Sequence, residues 1–381
     1  MFRTALLAAT LLLPAAASAQ SAPPEVMEHY RVYAAELKKA DPDNRLMSEA
    51  AYDAWQEAES RLGDSKLTGD LAINFAETEA YTVRGEAVDI DDAYERAVEL
   101  ASFYPEEERA SVAANRALLH AQRVINRYND PAKLRRVRRL LDGVIDDLKA
   151  AGLGDSTYTG DAETLKSQAF IRSGRYKSAL KHADLARAAY ERTTDGLFSV
   201  IRYQLPLFDA IAAQELKQDV RAGKALQKLV EDHYRLTEQY TGPSAVAYSR
   251  WLDLEERLQR RRDEPEIAAL LEWTPPAASG TDEPAYRTPP IMPPTAQRSG
   301  WVDLEFDLRE DGRIDMDTVR VTDASESTFE SASKFALKAW VYPPGMPEES
   351  RRDVETRITF FLSRPNGTII PARREAPPKD G

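Results

Sequence analysis

Apolar residues recur at two different spacings along the chain, and the spacing changes near residue 274. From about Pro24 to Trp273 they lie three to four positions apart, which predicts amphipathic α-helices. Clusters of Gly, Pro, Asn and Asp interrupt this region and leave helices of roughly 12 to 25 residues. Because the intervening loops are short, we expect neighbouring helices to pack antiparallel.

Beyond the change, apolar and polar residues alternate, as is typical of β-strands with one buried face. The apolar positions of the first predicted strand are Val302, Leu304, Phe306 and Leu308. Asp311-Gly312 then predicts a hairpin turn. A second strand from Ile314 to Val321 should follow, with an irregular register.

A short helix and a third strand complete this C-terminal pattern. Ser325 or Ser327 could cap the helix. Its apolar face should consist of Phe329, Ala332, Phe335, Ala336, Ala339 and Trp340. Pro343 and Pro344 end it, and alternation resumes from Val354 to Leu362. The predicted order is β-β-α-β.

Two sets of residues in this region have a specific spacing. One begins at Gly300, continues through the apolar positions of the first strand and ends at Asp311-Gly312. The other is Phe329, Glu330, Ala336, Trp340, Tyr342 and Pro344. In both sets the chain resembles the C-terminal domain of TonB, a bacterial energy transducer that delivers inner-membrane work to outer-membrane receptors. The resemblance covers about residues 285 to 362.

The resemblance implies a binding mode. TonB domains leave their last strand at a sheet edge, where the TonB box of a receptor adds as a further strand. The candidate binding residues here are therefore Val354, Glu355, Thr356, Arg357, Ile358, Thr359, Phe360 and Phe361. Glu355, Arg357, Thr359 and Phe361 should face outward, and we regard Arg357 and Phe361 as the first partner contacts. Alternatively, a second copy of the chain or the tail after Arg364 occupies this edge.

One helical pair has small and aromatic residues at positions that permit close approach: Phe170, Gly174, Tyr176, Ala179, Ala183 and Ala186. This pair resembles a tetratricopeptide repeat. The resemblance implies an irregular helical-hairpin solenoid, and an ordinary helical bundle is the alternative. The expected fold class is α+β with two domains, an all-α tetratricopeptide-like domain and a small β-β-α-β TonB-like domain.

The ends of the chain indicate export. Residues 1–19 have the charged start, short apolar stretch and Ala-x-Ala end of a signal peptide. We expect a helical domain over 20–273, a Pro-rich linker over 274–288 that tethers the domains, the TonB-like domain over 289–363, and a disordered tail over 364–381. No later segment approaches the roughly 20 apolar residues of a membrane span. The expected location is the periplasm.

Composition offers little support for catalysis. Cysteine is absent, and the four histidines lack metal-ligand spacing, so we expect neither an enzyme nor a cofactor or metal site. The densest basic run is Lys133, Arg135, Arg136, Arg138 and Arg139. A net charge of -12 opposes nucleic-acid binding, and this run is better interpreted as a solvated helix face.

The favoured hypothesis is a periplasmic protein that binds an extended, TonB-box-like segment by strand addition while its helical scaffold binds a second protein. TonB-dependent outer-membrane receptors are the candidate partners. The alternative is an energy-transducing component of TonB-dependent transport, powered through a membrane-anchored partner.

Overall fold

The chain is mostly helical and carries one small sheet near its C-terminus. The computed structural model describes residues 22–39, 42–81, 87–197, 199, 201–277, 283–363 and 369–372. Within them, thirteen α-helices accompany a three-stranded antiparallel sheet, which confirms the α+β layout. Two compact units are present, Met1–Phe208 and Asp209–Gly381. The predicted signal peptide and, apart from 369–372, the predicted tail lie outside the described residues.

The first unit is built from helices that pack mainly on their neighbours in sequence. They are α1 (Pro24–Leu37), α2 (Asn44–Leu62), α3 (Lys66–Tyr81), α4 (Ala87–Glu99), α5 (Glu106–Arg127), α6 (Pro131–Ala150), α7 (Thr157–Arg172) and α8 (Tyr176–Arg192). One apolar cluster joins α1 to α4, and a second joins α5 to α7. Sequential packing of this kind follows from the short loops that the sequence predicts.

Several predicted breaks act through capping. Asp43 accepts hydrogen bonds from two backbone amides in the first turn of α2. Asp130 does the same for α6, which begins at Pro131. Both arrangements satisfy amides that a helix start leaves without partners. Helix α7 includes Gly160 near its start, where a Cβ would lie 2.4 Å from the Tyr190 ring.

Helices α7 and α8 form the closest helical pair of the first unit. Ala179, Ala183 and Ala186 of α8 are fully buried. Gly174 takes φ 66° in the turn between the helices, a conformation that favours glycine. The hydroxyl of Ser167 donates to the carbonyl of Ala179 at 3.0 Å. Small side chains therefore permit a close hairpin at the predicted place.

The second unit contains four further helices before its sheet. They are α9 (Leu205–Glu215), which begins before the boundary, α10 (Asp219–Thr237), α11 (Pro243–Leu258) and α12 (Pro265–Leu271). The break between α9 and α10 was not predicted. It occurs at Lys217, a non-glycine residue with φ 58°, and the local sequence contains neither Gly nor Pro to indicate it.

Both ends of the expected linker are held by hydrogen bonds. The hydroxyls of Tyr234 and Tyr240 donate to the carbonyls of Ala277 and Pro276 at 2.7 and 2.6 Å. At the other end, the indole Nε1 of Trp340 donates to the carbonyl of Thr288 at 3.0 Å. Residues 278–282 lie outside the described residues. The described parts of this segment are thus packed against their own unit.

The C-terminal module has the predicted β-β-α-β order. Its elements are β1 (Gly300–Phe306), β2 (Arg320–Ala324), α13 (Glu330–Leu337) and β3 (Val354–Phe360). The strand order is β2-β1-β3, and both pairings are antiparallel. The apolar core between sheet and helix includes Val302, Leu304, Phe306, Phe329, Leu337, Trp340, Tyr342, Ile358 and Phe360.

Two glycines permit close approaches within this module. At Gly300 a Cβ would lie 2.0 Å from the ring of Phe329. Gly312 has φ 79° in the hairpin turn, and a Cβ there would lie 2.1 Å from the carbonyl oxygen of Tyr342. Any larger residue at either position would displace the core, which explains the glycines physically.

The second strand differs from the prediction. It begins only at Arg320, because the chain forms a single bridge from Leu308 to Ile314 and then turns over 316–318. Its register against β1 shifts between Asp303 and Leu304, which leaves Thr322 as an extra residue. The predicted irregularity is therefore confirmed as a β-bulge, while the predicted start of the strand is wrong.

Two predictions about α13 are wrong. No side-chain cap precedes the helix; Ser325 instead bonds to the backbone of Trp301 and extends the pairing of β1 with β2. Phe335 is 65% exposed rather than part of the apolar face. The helix is only eight residues long and follows a 3-10 turn, so Ala336 and Leu337 alone of its last turn reach the core.

Candidate functional site

Strand β3 forms one edge of the sheet. It pairs with β1 without interruption over seven residue pairs, from Gly300 opposite Phe360 to Phe306 opposite Val354. In the described part of the chain, no strand pairs with the other side of β3. An edge strand of this kind offers backbone donors and acceptors to an added strand.

Hydrogen bonds on β1 reveal which backbone groups of β3 face the open edge. The backbone N–H of Trp301 donates to the Ser325 hydroxyl at 2.9 Å, and its carbonyl accepts from the Ser325 N–H at 3.0 Å. Both groups of Trp301 thus point toward β2. In an antiparallel ladder, its partner Thr359 must then point its own N–H and C=O away from β1.

The same alternation holds at neighbouring positions. Glu355 and Phe361 have the parity of Thr359, so their backbone groups also point to the outer edge. Leu362 has the opposite parity, and its N–H donates inward to the Ser299 hydroxyl at 2.9 Å. The outer edge of β3 therefore presents regularly spaced backbone groups to an incoming strand.

Side chains on β3 alternate between the core and the opposite face as expected. Ile358 and Phe360 are buried, and Val354 and Thr356 are half-buried. Glu355 and Thr359 are exposed, and Phe361, one residue past the strand, is 69% exposed. A strand added to the outer edge of β3 would lie beside the exposed side chains of Glu355, Thr359 and Phe361.

Arg357 already has a partner within the module. Its Nε and Nη2 donate to the two carboxylate oxygens of Asp303 at 2.6 and 2.7 Å, and its guanidinium lies 4.8 Å from the centre of the Trp301 ring. The hydrogen bonds to Asp303 raise the pKa of Arg357. Asp303 was not among the predicted site residues, although it stands directly opposite Arg357 in the register. A contact from Arg357 to a partner stays a prediction.

The chain returns to the sheet beyond β3. The N–H of Ile370 donates to the carbonyl of Leu362 at 2.8 Å, and its carbonyl accepts from the N–H of Ser299 at 3.0 Å. Ser363 forms an isolated antiparallel bridge with Ile369. These contacts lie past the last paired residue of β3, so the described tail residues leave the edge from Val354 to Phe360 open.

A cleft of about 270 Å³ lies between α11 and α13. Leu252, Pro289, Phe335 and Trp340 give it an apolar lining, and Arg313, Lys338 and Asp253 add charge. Arg313 also contacts Glu256 of α11 at 3.1 Å. The exposed Phe335 thus belongs to the rim of this cleft and not to the sheet core.

The histidine and acidic side chains of the described residues bear on metal binding. No group of three or more His, Asp or Glu side chains there could hold a metal ion. His182 hydrogen-bonds Glu163 at 2.5 Å, and burial lowers the pKa of His120 to about 4. Across the same residues, each helix is too short or too polar to cross a membrane.

No protein-family model matches the sequence, and no curated protein is detectably similar to it.

Proposed function

We propose that this is a TonB-like periplasmic protein that binds an extended partner segment by strand addition to the outer edge of β3. The single observation that carries the proposal is the open edge itself. Thr359, Glu355 and Phe361 direct backbone groups outward along a strand whose register with β1 is unbroken. Main-chain hydrogen bonds supply affinity in this mode, and exposed side chains supply selectivity.

Three residues of the TonB resemblance, Gly300, Gly312 and Trp340, support the proposal because they have packing roles here. Gly300 makes room for Phe329, and Gly312 makes room for the backbone of Tyr342. Trp340 is buried and anchors the segment before β1 through Thr288. The shared spacing therefore corresponds to contacts that hold β1, and through it β3, in place.

The helical region serves as a second binding surface in this proposal. The close α7–α8 hairpin favours a tetratricopeptide-like arrangement, a class that stacks helical pairs into extended binding surfaces. The candidate partner of β3 is the TonB box of an outer-membrane receptor, and the periplasmic location rests on the signal-peptide pattern. The protein acts by binding and performs no chemistry of its own.

Amide hydrogen exchange tests the proposal. Purified protein is mixed with a synthetic TonB-box peptide. The protection of its backbone amides is compared with their protection in the presence of a scrambled peptide of the same composition. We expect new protection at the amides of Glu355, Thr359 and Phe361, which face the open edge, and none at Val321 of β2. Protection on β2, or failure to bind the peptide at all, would refute strand addition at β3.

A further inference from the structure

The basic run of α6 is exposed at four of its five positions, as the sequence suggested, and Arg138 is the exception. Arg135 and Arg139 are exposed, but Arg138 is only 9% exposed. Its Nη1 donates to the hydroxyl of Ser173, in the turn between α7 and α8, at 3.0 Å. The guanidinium of Arg138 is therefore largely buried beside the α7–α8 hairpin.

A second arginine converges on the same aromatic ring. The guanidinium carbons of Arg138 and Arg175 lie 4.7 and 5.2 Å from the centre of the Phe170 ring. The imidazole of His182 stacks on that ring with 5.0 Å between centroids. We call Arg138, Arg175 and Phe170 the arginine cluster. Contact with the ring face stabilises each cation by an electrostatic attraction.

Neither guanidinium has an acidic partner among the described residues. In the part of the chain that the structure describes, no carboxylate oxygen lies within 4.0 Å of either one. The nearby acids have other partners: Asp142 contacts the Lys166 ammonium at 2.6 Å, and Glu163 contacts His182. In a chain of net charge -12, these two arginines thus contact one aromatic ring without a carboxylate within 4.0 Å of either guanidinium.

Electrostatic cost accompanies this arrangement. Burial, followed by the charges of Arg175 and Arg135, lowers the pKa of Arg138, and the charge of Asp142 opposes this shift in part. The adjacent start of α8 adds further positive potential, since its first turn contains no acidic residue and no side-chain cap. An anion bound to the guanidiniums would offset the repulsion and complete their hydrogen bonds.

We propose that Arg138 and Arg175 bind a side-chain carboxylate of an acidic peptide segment on a protein partner, with Phe170 packing beside it. Planar guanidiniums match carboxylates through paired hydrogen bonds. A short acidic segment fits better than a nucleic acid, because the overall charge of -12 repels an extended polyanion while two arginines suffice for one or two carboxylates.

This inference deepens the helical half of the proposed function and rests on it, because it specifies the chemistry of the second partner. It does not require that β3 capture a strand. A variant with Thr359→Pro in β3 should bind acidic peptide like the unmodified protein, so the two proposals can fail separately.

Fluorescence anisotropy with the purified full-length protein provides the test. The probe is fluorescein-labelled hexaglutamate, and the control peptide is hexaglutamine. Arg175→Gln removes the exposed guanidinium and should weaken hexaglutamate binding about tenfold or more. Arg138→Lys keeps the charge but not the planar fork, and should weaken it as well. The matched control is Arg192→Gln, which removes a charge from the other end of α8, where Arg192 contacts Asp155 at 2.7 Å.

The result that supports the proposal is saturable hexaglutamate binding that survives Arg192→Gln and is lost in Arg175→Gln. Three results would overturn it: no binding of hexaglutamate; equal losses in Arg175→Gln and Arg192→Gln, which would indicate diffuse charge attraction; or stronger displacement by millimolar inorganic phosphate than by free hexaglutamate, which would indicate a small-anion site. Circular dichroism checks that each variant retains its helices.

Discussion

The sheet has two edges, and they differ in how well each could accept another strand. Strand β2 has five residues, of which Thr322 is a bulge, so its register against β1 breaks in the middle. Strand β3 has seven residues in one continuous register. A bulge twists a strand and interrupts the even spacing of its backbone groups, which blunts an edge against further pairing. The comparison teaches that only β3 is a regular template.

Charge does not distinguish the two edges as clearly as backbone regularity does. Each edge strand contributes an arginine that contacts an acid on β1: Arg320 contacts Glu305, and Arg357 contacts Asp303. The β2 arginine is 65% exposed, whereas the β3 arginine is 15% exposed. The second pair therefore holds β3 against β1 more firmly, because solvent screens it less.

The largest expected effect comes from a substitution that disturbs β1, the strand with which both β2 and β3 pair. In Gly300→Ala, the new Cβ would lie 2.0 Å from the Phe329 ring, so the module must repack. We expect a loss of about 3 kcal/mol in the free energy of unfolding, measured by denaturant titration with tryptophan fluorescence.

Gly143→Ala is the matched control for that substitution. Gly143 lies inside α6 with no heavy atom within 4 Å of its Cβ position, so alanine there should stabilise the helix by about 1 kcal/mol. Equal stability of Gly300→Ala and the unmodified protein would show that Phe329 does not fill the space above β1.

Removing the two edge arginines sharpens the comparison of their ion pairs. Arg357→Gln should reduce the free energy of unfolding by about 1 to 2 kcal/mol, since it leaves the partly buried Asp303 without its paired hydrogen bonds. Arg320→Gln should change it by less than about 0.5 kcal/mol, because that pair is exposed. Thermal unfolding of the two variants measures the difference, and a larger loss for Arg320→Gln would reverse our ranking of the edges.

Substitution of two exposed phenylalanines distinguishes peptide binding at the β3 edge from peptide binding in the cleft. Phe361→Ser should weaken binding of a TonB-box peptide about fivefold with little change in stability, because this side chain stands beside the outward backbone groups of β3. Phe335→Ser, on the rim of the cleft beside α13, should leave peptide affinity unchanged. If Phe335→Ser weakens binding more than Phe361→Ser does, the peptide occupies the cleft.

The smallest expected effect is a loosening of the start of β3 in acid. Asp307 accepts from the backbone N–H of Asp353 and from Arg352, and these bonds lower the pKa of Asp307. Because the folded pKa lies below the unfolded one, the stabilisation is complete above the ordinary carboxyl range and is lost as pH falls through the folded value. The protection factor of the Asp353 amide, which is exchange measured relative to the intrinsic rate at each pH, should fall as the pH drops through the lowered pKa of Asp307, and Asp307→Asn should abolish that dependence.

The sequence revealed the order of elements in the C-terminal module and the start of β3 at Val354, but the strand ends at Phe360, two residues before the predicted Leu362. Strict alternation and fixed proline positions leave few other arrangements for such a segment. It did not reveal the late start of β2 or the exposure of Phe335, because the turn over 316–318 and the length of α13 depend on packing against β1.

The site was predicted less completely than the fold. Spacing located the edge strand, but Arg357 and Asp303 are partners across two strands, which no local pattern reports. Arg138 likewise reads as a surface residue on its own helix, and its burial comes from the α7–α8 turn that packs beside it. In both cases the environment of the arginine depends on contacts between segments that are distant in sequence.

The central claim, capture of an extended segment by the outer edge of β3, is tested most directly by proline at two exposed edge threonines. In Thr359→Pro the lost N–H points away from β1, so the ladder keeps its bonds while an added strand loses a donor and meets the proline ring. We predict that Thr359→Pro weakens binding of a TonB-box peptide about tenfold, whereas Thr322→Pro on β2 changes it less than twofold. Equal affinities of Thr359→Pro and the unmodified protein, or a larger loss in Thr322→Pro, would contradict the account.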